Sequence, residues 1–132
     1  MKLTSRDIAN YCAKPDPNRA GILIYGADPM RVSMRRQSMI LALLGPQGRE
    51  EMRLTRLSST DLRKEPTALI DAVKAQGFFP GQRGVFLEDA TEGLTKTIAA
   101  ALQDWQHGDA QIIVTAGKLR ASSILRKTFE TH

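Results

Sequence analysis

Gly21-Ile22-Leu23-Ile24-Tyr25-Gly26-Ala27-Asp28-Pro29 decides the reading of this chain, because four apolar residues meet a glycine turn that opens directly into a long helix. A short unbroken apolar run bounded by turn residues suits a strand covered on both faces, as in a parallel sheet. Asp28 is placed to cap the helix that follows, and Pro29 stands at its first position, where no amide hydrogen is needed. In nucleotide-binding α/β domains this junction of strand, turn and helix is where the phosphates lie. A P-loop needs G-x-x-x-x-G-K-[ST], which wraps amides round the phosphates and supplies a lysine and a magnesium-binding hydroxyl. Here Gly26 is followed by Ala27-Asp28-Pro29-Met30-Arg31-Val32-Ser33, with no second glycine and no lysine. Asp28 also brings negative charge to the place of the phosphates. The stretch reads as the scaffold of a nucleotide site without its chemistry.

Outward from that stretch, the pattern alternates. Thr4 to Lys14 reads as a short helix with a Thr4-x-x-Asp7 capping box, and Pro15-Asp16-Pro17-Asn18 turns the chain into the first strand. The helix from Pro29 to Leu44 has an apolar stripe in Val32, Met39, Ile40, Leu43 and Leu44, and Gly45-Pro46 stops it. Met52 to Leu57 alternates loosely between apolar and polar residues, which suits a strand nearer a sheet edge. Ser58-Ser59-Thr60-Asp61 has capping potential for a helix carrying Leu62, Leu69, Ile70 and Val73, interrupted or restarted at Pro66 and expected to end at Gly77. Gly84 to Glu88 is a strand, Thr91 to Trp105 a helix with Leu94, Ile98, Ala101, Leu102 and Trp105 on one face, and Gln111 to Thr115 another buried strand. A last helix from about Ala121 carries Ile124, Leu125 and Phe129, and it looks unfinished at the end of the sequence, as expected of a fragment. Four strands alternating with helices predict an α/β fold, a parallel sheet with helices on both faces.

The bulk numbers agree with one domain. The chain has 132 residues, 42% hydrophobic and 25% charged, a size that buries a real core. No apolar run approaches the roughly 20 residues needed to span a bilayer, and the start lacks a signal-peptide core, so a cytoplasmic protein without membrane contact is expected. Cys12 is the single cysteine. It excludes an internal disulfide or a multi-cysteine metal site and fits the face of a helix as a small buried residue. A net charge of +5 permits nucleic-acid contact without demonstrating it.

Catalytic patterns are missing. His107 lies beside Gly108 in a turn and His132 ends the sequence, neither with a nucleophile nearby. HExxH, GxSxG and clustered metal-ligand spacings do not occur, so no catalytic residue, metal or cofactor is expected. Glu88-Asp89 superficially resembles the acidic end of a Walker B strand, which would hold magnesium for phosphoryl transfer. Without a P-loop it has no phosphates to serve, and Asp89-x-x-Glu92 reads as a helix-entry cap. Phe78-Phe79 is different in kind. Neighbouring side chains of an extended or turning segment point in opposite directions, so both rings cannot easily enter one core, and Pro80-Gly81 makes the segment a projecting turn. It suits an aromatic anchor for a partner's pocket. It suits equally a pair of which Phe78 caps the preceding helix while Phe79 packs under the sheet. Arg31, Arg35 and Arg36 of the second helix, with Lys118 and Arg120 near the C-terminus, could touch phosphates, although scattered charges of this kind also make an ordinary solvated face.

Taken together, GILIYGADPM, LIDAVKAQGFFPGQR, VFLED and QIIVTAGKL resemble, in order and spacing, the N-terminal domain of the delta subunit of bacterial DNA polymerase III. The resemblance covers essentially the whole chain. It implies an AAA+-like domain with a degenerate nucleotide site, part of the clamp loader of the DNA-directed DNA polymerase III holoenzyme and itself without ATP hydrolysis. It also implies that the lid and collar domains of full-length members lie beyond this piece. In that family a bulky pair at the end of a helix wedges into a hydrophobic pocket of the ring-shaped sliding clamp and helps to open it during DNA replication. The matching positions are Phe78 and Phe79, with Gln76, Gly77 and Pro80 shaping the turn. The family pair is often aliphatic plus aromatic, whereas this chain has two phenylalanines. The implied partners are the sliding clamp, the other loader subunits and, through the complex, primer-template DNA. Two readings from other classes stand beside it: a divergent P-loop ATPase or nucleotide kinase, marked by saturable ATP binding, and a basic nucleic-acid-binding module, marked by salt-dependent DNA binding.

Overall fold

The apolar runs 21–25, 84–88 and 111–116 become strands because each carries side chains that must be buried on alternate sides, a demand met by a sheet covered on both faces. The computed structural model describes residues 19–46, 53–75, 82–106, 108–117, 119 and 123–130. In chain order the elements are β1 (Gly21–Tyr25), α1 (Pro29–Leu44), β2 (Leu54–Ser58), α2 (Ser59–Lys64), α3 (Ala68–Lys74), β3 (Gly84–Glu88), a 3-10 turn (Glu92–Leu94), α4 (Thr95–Asp104), β4 (Gln111–Ala116) and α5 (Ile124–Glu130). The strands form one sheet in the order β1-β4-β3-β2, parallel throughout.

Strand order and handedness together place the helices. From β1 the chain steps across the whole sheet to β2, and from β2 it steps back through β3 to β4. Parallel crossovers are right-handed, so a reversal of direction moves the connecting helix to the opposite face. Accordingly, among the described helices α1 alone covers one face, packing Met39, Ile40 and Leu44 on Ile22, Ile24, Phe86 and Ile113. The other face carries α2, α3, α4 and α5, whose Leu62, Leu69, Ile98, Leu102, Leu125 and Phe129 pack on Val85, Leu87, Ile112 and Val114. The inner strand β4 is buried at every position. Ile112, Ile113 and Val114 have no exposed surface, and full burial of each such side chain contributes about 1.5–3 kcal/mol.

Several boundaries differ from the sequence reading for local reasons. β1 is an end strand among the described residues, so Leu23 and Tyr25 are half-buried rather than fully covered. The expected edge strand is at the other end of the sheet, as Leu54–Ser58. The helix expected across Pro66 is two helices: Ser58 caps the first in a capping box with Asp61, and the break at Glu65 to Thr67 restarts the second. That second helix ends at Lys74, before Gly77. Thr91–Trp105 opens as a 3-10 turn and becomes α-helical only at Thr95. The last helix begins at Ile124, which is 66% exposed, leaving Leu125 and Phe129 to face the core. The expected helix Thr4–Lys14, with Cys12, and both histidines lie outside the described residues.

Candidate functional site

β1 continues into α1 on one face of the sheet, whereas its neighbour β4 leads to α5 on the other. Two adjacent strands whose connections leave in opposite directions open a crevice at their carboxyl ends, the usual ligand position in open α/β sheets. Such a crevice, of about 500 Å³, lies between the Gly26-Ala27 turn and Ala116-Gly117, with Arg36, Phe86, Glu88 and Asp89 on its flank.

The polar groups in and beside it are largely engaged with one another. The Asp28 carboxylate accepts from the amides of Met30 at 3.0 Å and Arg31 at 3.4 Å, the first-turn donors that would otherwise face an anion. The Gly26 amide donates to the Gly117 carbonyl at 3.2 Å. Arg36 lies 4.7 Å from the centroid of the Phe86 ring and donates to the Ser33 hydroxyl at 3.3 Å. Glu88 is held in a two-pronged pair by Arg56 of β2, at 2.8 and 2.9 Å from one guanidinium nitrogen. Arg56 stands opposite Phe86 in the sheet register and reaches over the same ring. Asp89 has a positive φ of 54°. That conformation is held because its amide donates to the Thr115 hydroxyl, its carbonyl accepts from the Ser59 hydroxyl, and the next amide, Ala90, donates to the Thr115 carbonyl.

The helix-entry role read for Asp89-x-x-Glu92 is therefore corrected. The 3-10 turn Glu92–Leu94 has Thr91, not Asp89, at its N-cap position and no side-chain cap. Glu92 instead serves a distant helix, accepting from the Ser123 hydroxyl and the Leu125 amide at the start of α5. A carboxylate there meets free amides and the positive end of the helix dipole. Sequence spacing finds only local caps, so a contact across this separation left no signal. Arg56, Ser59 and Thr115 were likewise missed as site neighbours, since strand register and helix placement bring them there.

Of the expected phosphate-contacting arginines, Arg31 is exposed and Arg35 is half-buried one helical turn further on, whereas Arg36 turns inward over Phe86. The helix does not gather the three into one cluster. Lys118 and Arg120 lie outside the described residues, as do Gln76, Gly77, Phe78, Phe79 and Pro80. The chain on both sides of that last segment is firmly tied. Lys74, the final residue of α3, pairs with Asp109 and donates to the Asp104 carbonyl at 3.0 Å. Its hydrogen bond to Asp109 holds the Lys74 ammonium above its ordinary pKa of 10.5. Burial pushes the Asp109 carboxyl up, but the Lys74 ammonium and the Gln106 amide outweigh it and leave the group below its ordinary 3.8. On the far side, Gln82 accepts from Arg53 at 3.1 Å, and Arg83 donates to the Gly108 carbonyl at 3.0 Å. These anchors stand at the amino ends of the strands, the opposite end of the sheet from the crevice.

Among the described residues, no group of three or more His, Cys, Asp or Glu side chains is placed to hold a metal ion, and no helix is long and apolar enough to cross a membrane. Set against models of known protein families and against curated proteins, the chain matches none. What the fold and crevice define is a parallel α/β domain with a crevice at the carboxyl ends of β1 and β4, beside a helix start whose first-turn amides are taken by the Asp28 carboxylate.

Proposed function

We propose that this domain is a clamp-loader module of the delta-subunit type, an AAA+-like domain that has lost its nucleotide and binds the sliding clamp through Phe78 and Phe79. The observation that most supports the loss is the Asp28 carboxylate on the Met30 and Arg31 amides, which takes the donors and reverses the charge that a triphosphate requires. Glu88, the Walker B-like carboxylate, is committed to Arg56 rather than left to a metal. The wedge rests on the resemblance of LIDAVKAQGFFPGQR to the family segment, and the tied flanks at Lys74 and Arg83 supply a rigid mount for it.

The mechanism is mechanical. Two aromatic side chains entering an apolar pocket favour the opened or strained clamp over the closed ring, and a ligand shifts such an equilibrium only by its difference in affinity for the two states. ATP-binding sister subunits control when the wedge is presented, and primer-template DNA is reached through the complex. No catalytic residue in this chain is needed, and polymerisation belongs to the holoenzyme.

The test is binding of this chain to the sliding clamp of the same organism, comparing the native sequence with Phe78→Ala/Phe79→Ala and checking both folds by circular dichroism. The expected result is saturable binding that weakens at least about tenfold in the folded double variant. Equal binding by both overturns the wedge. Absence of binding by either, with saturable ATP binding or strongly salt-dependent DNA binding in its place, overturns the clamp-loader reading.

A further inference from the structure

The helix α1 has two apolar faces, and the fold uses one. Met39, Ile40 and Leu44 are buried against the sheet. On the far side, Met30, Met34 and Leu41 are 72%, 62% and 58% exposed. With 3.6 residues per turn these three fall within about 40° of arc and form a single row along the helix. Single exposed apolar residues are ordinary, but three large ones aligned on one helix are a surface. Methionine suits such a surface because its unbranched, polarisable chain adapts to an incoming side chain.

Beside this row runs a basic one, Arg31 and Arg35, one helical turn apart. The helix contains three arginines and no aspartate or glutamate. Asp28, just ahead of it, is spent on the cap. Among the described residues no carboxylate lies within ion-pair range of Arg31 or Arg35. Arg31 also stands near the amino end of the helix, where the dipole disfavours a cation. The row leaves most of its surface outside the domain, and the position of this charge does not favour the helix.

We propose that the outer face of α1 is a docking surface for an acidic amphipathic helix of another protein, whose apolar row lies on Met30, Met34 and Leu41 and whose flanking carboxylates meet Arg31 and Arg35. Charge selects this occupant. A second copy of the same helix would set arginine against arginine, and a nucleic-acid backbone would leave the apolar row facing phosphates. A bilayer is the poorer fit because the row is as narrow as a helix seam and carries no aromatic residue, unlike the broad aromatic-containing faces that enter membranes. Met30, Arg31, Met34, Arg35 and Leu41 do not line the crevice, and the inference does not rest on the clamp-loader reading.

The probe is a synthetic helical peptide with leucine at i, i+4, i+7 and i+11 flanked by glutamates, together with a version in which lysines replace the glutamates. Binding is followed on the protein labelled with 13C at the methionine methyl groups. The expected result is saturable binding of the acidic peptide with shifts at Met30 and Met34 and none at the buried Met39. Affinity is expected to fall at least about tenfold in Arg31→Glu/Arg35→Glu and in Met34→Ser/Leu41→Ser, all at exposed or half-buried sites on the outer face, so that circular dichroism remains native. Equal binding of the two peptides, unchanged affinity in the variants, or Met30 and Met34 shifts produced only by phosphatidylglycerol vesicles or duplex DNA overturns the proposal.

Discussion

Gly21 shows how one residue is chosen by its neighbours rather than by its own conformation. A Cβ built there would lie 2.9 Å from the Ile112 carbonyl oxygen and 2.9 Å from the Leu102 Cδ2 atom. The first of these is backbone of the adjacent strand and cannot swing aside, so β1 and β4 could pair only by moving apart. Gly21→Ala is therefore expected to destabilise the domain by about 1–3 kcal/mol, read as a lower urea midpoint with an unchanged slope. Asp89 is the converse case. Its positive φ is maintained by partners on two other elements, and nothing in the local sequence other than the tolerance of aspartate for that conformation announces it.

At the scale of elements, capping and charge explain why short helices persist. α2 has 6 residues, far below the length at which a helix is stable alone, and depends on the Ser58-Asp61 box and on Leu62 in the core. The Ser58 amide and hydroxyl hold the Asp61 carboxyl below its ordinary pKa of 3.8. A depressed carboxyl contributes stability that is fully present above the unfolded value and is lost as pH falls through the folded one. Acid titration is thus expected to weaken the start of α2 below pH 3.8, and Asp61→Asn to remove this part of the acid sensitivity, measured as denaturant midpoint against pH. Lys74 has the opposite sign. Its raised pKa stabilises the domain below 10.5 and that contribution is lost as pH rises through the folded value.

For the whole molecule, the turning back at β2, where the chain stops stepping away from β1 and returns through β3 to β4, is the organising fact. Among the described elements it puts one helix on one face and four on the other, and it opens the crevice between β1 and β4. In a parallel sheet the crevice, at the carboxyl ends of the strands, and the bonds of Lys74 and Arg83, at their amino ends, stand at opposite ends. Burial ranks the strands: β4 is enclosed throughout, β3 nearly so, and β2 is exposed at Thr55 and Arg56. Native-state hydrogen exchange is expected to be slowest in β4 and β3 and faster in β2, because the inner strands open only with the whole domain. Equal protection in β2 and β4 would contradict that order.

Fold class was legible because it is written in local pattern. The apolar runs of β1, β3 and β4, the Asp28-Pro29 start of α1 and the Gly45 stop each follow from backbone chemistry acting within a few residues, and the helix Pro29–Leu44 and the strand Gly84–Glu88 stand where the pattern puts them. The missing glycine and lysine after Gly26 could be read in the same way. What required the tertiary structure is everything that joins distant positions: Glu92 capping α5, Arg56 pairing Glu88 across the register, Arg36 folded over Phe86 while Arg31 stays exposed, and, among the described helices, α1 alone on its face of the sheet. Sequence by itself determined which stretches form the strands and the main helices and that no G-x-x-x-x-G-K-[ST] pattern follows Gly26, since hydrogen bonding and steric preference are local. Only the tertiary structure decided which charges are engaged and which apolar face stays exposed, since burial and Coulomb interactions depend on distances that strand order alone creates.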